Sequence, residues 1–514
     1  MAVLPRPPSG NTVNIGNPAA FGQATAFGQA ANFGILAAQG LAVAFGFAVA
    51  LGLGGCANRS AMRYEKIAKV AERNDYRAAA AAIRKNSKLY GSNDRLLYEM
   101  DLGMLSHYGE EYDSSIAHLS RAVRIHEDLF SRSVSNEAAA LLTNDNARPY
   151  RGKPYEIVLL HQYLAFDYLA LGKYDDALVE VRQTQLYLDE IKRKAGKAEK
   201  AYLDDGMFRY LSALAYEAAR EKDDAAISAY QAVKAYRGGP IPLPASVAAY
   251  AAVLLKSAGR EEDIRELNLE GDAAAAAPEP GAEIVVVGSA GRGPALDQTV
   301  FWGTWVRDGV LVVHFRDARG QEVTEALPAP GLPPREIEKA SRGRKSQSGT
   351  TVHIKFAMPV LKREHSRTRF FTVAGASLAA PARTEPLTQT EPLLSQYLEE
   401  NRGSILARTV VRVVIRTMAA QETKSALNTG NPLMNLFLNI FTDVLSDQLE
   451  QADLRSSFLL PGSVQVTRIP VKPGVHSLTV QAHDASGQAL GTRRFDNVEV
   501  KPGQKKFLFF ASLQ

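Results

Sequence analysis

Apolar and polar positions change rhythm several times along the chain, and each change predicts a different element. From Phe33 to Gly55 the run FGILAAQGLAVAFGFAVALGLGG carries no charge, the length of a bilayer-spanning helix or a long signal h-region. From Met62 to about 270, apolar residues recur at helical spacing among alternating charges, with no Pro before Pro149. That pattern predicts a run of amphipathic helices. The stretch from Ala273 to Gly281 is Pro-bounded and predicts a linker over 271–281. Short β-branched runs follow at Glu283 to Gly288, Gly309 to Phe315 and Thr351 to Phe356, and they predict a β-rich domain over 282–387. Helical spacing returns over 388–456, where two apolar stretches, Ile405 to Met418 and Leu433 to Leu445, are parted by Asn428-Thr429-Gly430-Asn431-Pro432. A helical hairpin packed on the sheet is expected there, with insertion into a membrane as the alternative. From Ser457 onward the alternation of Leu478, Val480 and Ala482, between turns at Pro473-Gly474 and Pro502-Gly503, predicts a small C-terminal β-sandwich over 457–514.

Inside the helical stretch the chain repeats itself. Arg73-Asn74-Asp75-Tyr76-Arg77-Ala78-Ala79, Gly109-Glu110-Glu111-Tyr112-Asp113-Ser114-Ser115 and Gly172-Lys173-Tyr174-Asp175-Asp176-Ala177 read as one turn written three times, with weaker copies at Glu221 to Ala225 and Gly259 to Glu262. The three tyrosines are 36 and 62 residues apart, so the first interval is close to the 34-residue tetratricopeptide period and the second requires an insertion. The phrase through Leu164, Ala165, Tyr168, Leu169, Leu171, Gly172, Tyr174 and Ala177 resembles the middle of a tetratricopeptide unit. The resemblance implies a small turn residue between antiparallel helices and Ala177 at their closest approach. Counting turns gives four or five helix pairs over 56–270. Stacked pairs form a superhelix whose concave groove usually holds a partner segment. The polar insertion from Ser131 to Pro154 is either a plain surface loop or a flap over that groove, bringing Arg148, Tyr150 and Arg151 to a partner. The fold class expected is multi-domain, α then α+β: a tetratricopeptide-like α-solenoid, a β-rich domain with a helical hairpin, and a small β-sandwich.

Composition narrows the function classes. A length of 514 residues is a prior of about three domains, and 46% hydrophobic with 22% charged residues is globular. A formal net charge of +5 falls short of a nucleic-acid footprint, so no nucleic acid is expected as a partner. The single cysteine, Cys56, excludes an intramolecular disulfide, a multi-cysteine zinc site and a Cys-x-x-Cys redox pair. The nine histidines include no His-Glu-x-x-His and no pair at i, i+4. With no nucleophile elbow or paired acids in a strand-end context either, no catalytic or metal residue and no cofactor is assigned, and the chain is not expected to be an enzyme. A basic tract between Arg335 and Arg369 carries Arg342, Arg344, Lys345, Lys362, Arg363, Arg367 and Arg369. It is either a solvated loop or a surface for anionic headgroups or a polyanionic wall polymer. Arg408, Arg412 and Arg416 share one helix face, and Asp443, Asp447 and Glu450 are spaced similarly on the next helix. The two rows either meet across a hairpin or are separately solvated.

Residues 1–55 contain no Asp, Glu, Lys or His and one Arg, and end in Leu53-Gly54-Gly55 before Cys56. That tetrapeptide resembles the lipobox of bacterial lipoprotein precursors. The resemblance implies cleavage before Cys56, a diacylglyceryl group on its sulfur and anchoring to a lipid bilayer by several acyl chains. Two or three chains hold a protein where one does not, at about 0.8 kcal/mol per buried methylene. Ala57, where Asp would retain a lipoprotein at the inner membrane, implies the outer membrane facing the periplasm. A transmembrane anchor with Cys56 at its exit is the alternative. The order of segments, with Pro149-Tyr150-Arg151-Gly152-Lys153-Pro154-Tyr155-Glu156 and Ala452-Asp453-x-Arg455-Ser456 before Leu460-Pro461, resembles an uncharacterised family of bacterial envelope lipoproteins with tetratricopeptide-like repeats. The resemblance supplies no reaction. Two readings of function follow. One is a membrane-anchored periplasmic scaffold that holds an envelope protein in its repeat groove. The other is a peptidoglycan-binding or wall-remodelling accessory factor acting through the basic tract and the β domain.

Overall fold

The structure is a computed structural model in which residues 64–132, 146, 148–195, 205–275, 282–306, 310–316, 321–328, 352–363, 366–426 and 451–514 are described. The chain divides into two units, Met1–Cys56 and Ala57–Gln514. The first, with Leu53, Gly54, Gly55 and Cys56, lies outside the described residues, as do Arg416's side chain and Arg342, Arg344 and Lys345 of the basic tract.

Five helix pairs open the second unit among the described residues. They are 64–71 (α1) with Tyr76–Lys85 (α2), Arg95–Tyr108 (α3) with Tyr112–Arg132 (α4), and Pro154–Ala170 (α5) with Tyr174–Ala195 (α6). Gly206–Ala218 (α7) with Lys222–Gly238 (α8), and Ala245–Ser257 (α9) with Glu261–Glu266 (α10), complete the set, followed by the short Glu270–Ala275 (α11). One backbone device makes every turn. Asn74, Glu110, Gly172, Arg220 and Gly259 have φ of 62°, 60°, 71°, 68° and 64°, and each stands two residues before its second helix. A left-handed residue ends a helix by turning the following N–H back onto it. Glu111, Lys173, Glu221 and Arg260 accordingly donate to the carbonyls of Ser106, Tyr168, Tyr216 and Leu255. Three residues into the second helix a small side chain is fully buried in four of the pairs: Ala79, Ser115, Ala177 and Ala225. The recurrent sequence phrase is therefore a recurrent geometry.

Twelve strands follow among the described residues: Glu283–Arg292 (β1), Ala295–Val306 (β2), Val310–Arg316 (β3), Glu322–Pro328 (β4), Val352–Lys362 (β5) and Phe370–Gly375 (β6). The others are Ala382–Arg383 (β7), Glu385–Gln389 (β8), Pro461–Pro470 (β9), Gly474–His483 (β10), Ala489–Val500 (β11) and Lys505–Ser512 (β12). They form three sheets, ordered β12-β1-β9-β8, β11-β10-β6-β7 and β4-β3-β2-β5. In the first, β1 runs parallel to β12, with Val287 beside Phe509, and antiparallel to β9. One face of that sheet, with Ile284, Val286 and Leu508, packs on Phe371, Val373, Leu478 and Val480 of the second. The opposite face, with Val285, Val287, Phe507 and Phe509, joins the core of the helix array. A strand covered on both sides has no polar face, which is why β1 reads as the unbroken run Ile284-Val285-Val286-Val287.

Two expectations are corrected by this topology. The strands assigned to a 282–387 domain and those assigned to a separate 457–514 sandwich share sheets: β1 lies between β12 and β9, and β6 pairs with β10. Both edges of β1 need partners, and the chain supplies them from its far end. The expected groove is also not open along the face that carries the following tyrosines, because the first sheet packs against it. Tyr76 Oη lies 3.0 Å from Ala511 O, and Tyr108 Oη donates to Leu459 O at 2.8 Å. Tyr163 Oη meets Ser289 Oγ at 2.7 Å, Tyr174 Oη donates to Lys505 O at 3.1 Å, and Tyr236 Oη donates to Leu387 O at 2.7 Å. Tyr112 packs against Phe509 with ring centroids 6.2 Å apart. The tyrosines read as turn markers thus seat the helices on the sheet.

The third sheet stands against one long helix, Thr390–Ala426 (α12), which packs on β5. The second helix of the expected hairpin, with Asp443, Asp447 and Glu450, lies outside the described residues. Among the described residues no helix is long and apolar enough to cross a membrane.

Candidate functional site: a basic cleft beside the repeat array

Two charge networks join the helix array to the rest of the chain. In the first, Glu283 on β1 accepts from Arg468 Nε at 2.7 Å and Nη2 at 2.9 Å, and from Lys505 Nζ at 2.6 Å. Lys505 also pairs with Glu217 on α7 at 2.9 Å, and Tyr250 Oη on α9 donates to Glu217. The Arg468 guanidinium lies 4.0 Å above the Tyr250 ring. Burial alone would raise the Glu283 carboxyl, but Arg468 and Lys505 together hold it below its ordinary range.

The second network assembles the two phrases that carried the family resemblance. Arg455 grips Asp453 with Nε at 2.9 Å and Nη2 at 2.8 Å, while its Nη1 donates to Asp94 at 3.0 Å and to the Arg148 carbonyl at 2.9 Å. Lys153 Nζ donates to the Arg455 carbonyl at 2.6 Å and to Tyr150 Oη at 2.9 Å. Glu156, in the first turn of α5, accepts from Tyr150 Oη, from Lys153 N at 2.8 Å and from Ser457 N at 3.2 Å. Behind them Asp101 accepts from Tyr90 Oη and Ser457 Oγ, both at 2.9 Å. Complete burial pushes the Asp101 carboxyl up to about 8 in spite of those two bonds. Burial also raises Asp94, more than Arg455 lowers it, whereas Arg455 outweighs burial at Asp453 and keeps that carboxyl low. Gly152, at φ 78°, permits the turn, since a Cβ there would stand 2.6 Å from Ile157 Cδ1.

This polar wall borders a cleft of about 790 Å³, within the range of ligand sites. Its floor is one face of the β2–β5 pair, with Leu296, Ala357 and Pro359. Along one side runs α12, from Tyr397 through Ile405 and Arg408 to Arg412, and the rim carries Arg148, Arg151, Lys153, Asp453 and Arg455. Six of these lining groups are cations and one is an acid. Arg412 is buried, and the half-buried Arg408 has its Nε enclosed without a hydrogen-bond partner.

Of the residues expected from sequence to meet a partner, Arg148 and Arg151 line the cleft. Tyr150 lines it as well, with little surface shown: it is 6% exposed, bonded to Glu156 and Lys153, and lies 5.2 Å from the Arg455 guanidinium across its ring. It supports the wall from inside. Asp94 and Asp101 were not singled out by sequence, and Lys153, Glu156 and Ser457 were given no role. Both phrases were legible, but no spacing rule connects groups 302 residues apart.

Three histidines of the array, the buried His107 and His161 and the half-buried His118, hold helix to helix. His118 meets Glu99 and His161 meets Glu180, both at 2.7 Å, at equivalent repeat positions with acid and base exchanged. His107 meets Asp167 at 2.6 Å. None of these lines the cleft. Among the described residues no group of three or more His, Cys, Asp or Glu is placed to hold a metal ion.

No known protein family matches the chain, and no curated protein matches it. Among solved structures, one titled "MamA MSR-1 C2" is similar at a TM-score of 0.25 and 15% identity, over 42% of this chain and 99% of that one. A second, "MamA AMB-1 P212121", has the same TM-score and identity over 43% of this chain and 94% of that one. Similarity at that TM-score carries no argument, so function rests on the site itself.

Proposed function

We propose that this chain is a membrane-anchored envelope lipoprotein that acts as a protein-interaction scaffold, holding its partner in the basic cleft. The cleft is the observation that supports this reading. The inner face of the helix array, the usual place for a partner in such repeats, is taken by the chain's own sheets. The cleft beside it combines an apolar floor with a cationic wall, the mixture that recognition sites use. Its rim is held by Asp453, Glu156 and Asp94, so the cations are positioned before a partner arrives, which lowers the ordering cost of binding. The lipobox-like Leu53-Gly54-Gly55-Cys56 supports the anchor and the periplasmic side of the outer membrane. No reaction is assigned. The test is capture from detergent-solubilised envelope by the wild-type chain and by an Arg408→Glu, Tyr397→Ala variant. A partner retained equally by both would reject the cleft.

A wall-binding role through the same cations is the second reading, favoured by the Arg and Lys lining alone. Sedimentation with purified peptidoglycan at low and raised salt separates the two, because an electrostatic wall contact is present at low salt and lost at high salt.

A further inference from the structure

An internal void lies where α5, α6 and α7 meet, and every residue lining it is buried. Its free space is about 10 Å³, room for one water and far below the roughly 300–1,000 Å³ of an organic ligand site. Most of the lining is apolar, with Phe166, Leu169, Phe208 and Leu211, and a wholly apolar void of this kind stays dry. Gln162 on α5 breaks that pattern. It is 3% exposed, and among the described residues neither its Oε1 nor its Nε2 has a hydrogen-bond partner. A buried amide is costly to leave unpaired, so this carboxamide calls for a partner that the surrounding helices do not provide.

Two hydroxyls in the same lining complete the bonds of such a partner. Ser212 Oγ donates to Phe208 O at 2.7 Å, and Thr184 Oγ1 donates to Glu180 O at 2.8 Å. Each has thereby committed its proton to its own helix and keeps lone pairs that accept. We infer that the void binds one water molecule, held by the Gln162 carboxamide on α5 and by the hydroxyl oxygens of Thr184 on α6 and Ser212 on α7. The water then ties the third helix pair to the fourth, at a level where their contacts are otherwise apolar. The repeat itself supplies a comparison. Tyr112 and Tyr174 are 62 residues apart, and 62 residues before Gln162 stands Met100, 1% exposed. An apolar side chain of the same length therefore fits this position in the second pair, and the polar one distinguishes the third. This inference is independent of the scaffold reading.

The test is a pair of crystal structures of the full chain, at a resolution that shows ordered solvent: the wild type and Gln162→Met, which copies the second pair. The expected result in the wild type is a single solvent peak within about 2.7–3.2 Å of the Gln162 carboxamide and of at least one of the two hydroxyl oxygens. In Gln162→Met the peak should be lost with the three helices in place. Far-UV circular dichroism and the melting temperature report whether the variant is folded, and the wild-type map decides the matter if it is not. A well-ordered lining with no peak overturns the inference in favour of a dry void, as does a Gln162 carboxamide turned onto a protein group. A peak that persists in Gln162→Met overturns it as well, because the hydroxyls alone would then hold the water.

Discussion

Replacing Glu283 with Gln tests whether the helix array and the sandwich are one cooperative structure. The substitution keeps the shape and removes one charge. Glu283 is 2% exposed and receives three charged hydrogen bonds from Arg468 and Lys505. In its absence Lys505 keeps its pair with Glu217, while Arg468 loses both of its carboxylate bonds. Breaking a buried ion pair by removing one partner costs about 3–5 kcal/mol, against roughly 5–15 kcal/mol for a whole domain. The exposed Glu65–Lys69 pair, with side chains 62% and 64% exposed, provides the control, and Glu65→Gln should change stability by less than about 1 kcal/mol. Urea unfolding at pH 7 followed by circular dichroism gives both numbers, with unchanged slopes licensing the comparison. The pH dependence adds a second check. Because the folded Glu283 carboxyl is held below its unfolded value, its stabilisation is present above the unfolded pKa and is lost as pH falls through the folded one. Glu283→Gln should flatten that acid limb. A loss under 1 kcal/mol at pH 7, with an unchanged acid limb, would refute the idea that this network locks the layers.

The remaining predictions address other levels. Asp101, pushed up to about 8, carries a proton in the folded state that the unfolded chain has lost. Its contribution should be full below about pH 4 and decline as pH rises to 8, by a total on the order of 5 kcal/mol. Asp101→Asn should remove that slope and raise the melting temperature at pH 9. Gly172→Ala meets open space at φ 71° and should cost only the left-handed strain, about 1 kcal/mol. Gly206→Ala would place a Cβ 2.5 Å from the Tyr236 ring, disturbing a tyrosine bonded to Leu387 O, and should cost more, about 1–3 kcal/mol; thermal melts rank the two. Cys56→Ala should move the chain from the membrane fraction on cell fractionation, and continued sedimentation with membranes would count against acylation.

The local half of the fold was legible because it is written in local rules. Turn phrases at Tyr76, Tyr112 and Tyr174 marked helix pairs, since a left-handed residue and a buried small residue recur at fixed offsets. β1 was legible as a strand from its β-branched run. Its partners were not, because a parallel pairing between Glu283 and Lys505 leaves no periodic trace in either segment. The filling of the groove was hidden for a related reason. Tyr76, Tyr108, Tyr174 and Tyr236 reach backbone carbonyls, and a carbonyl has no sequence signature. At the site, Arg408 and Arg412 were visible as one helix face, yet the floor beside them is built from two separate strands, Leu296 on β2 and Pro359 on β5, which no local spacing connects to that helix. Tyr150 was noticed for its polar surroundings and is buried by those same neighbours.

The central claim is that recognition happens at the cleft and not on the repeat array. A photoreactive amino acid placed in cells at Leu398, which lines the cleft, and separately at Leu186, 63% exposed on α6, tests it directly. The account predicts a discrete crosslinked product from Leu398 that disappears with Arg408→Glu, and none from Leu186. A product from Leu186 alone, or one from Leu398 indifferent to Arg408→Glu, would contradict it.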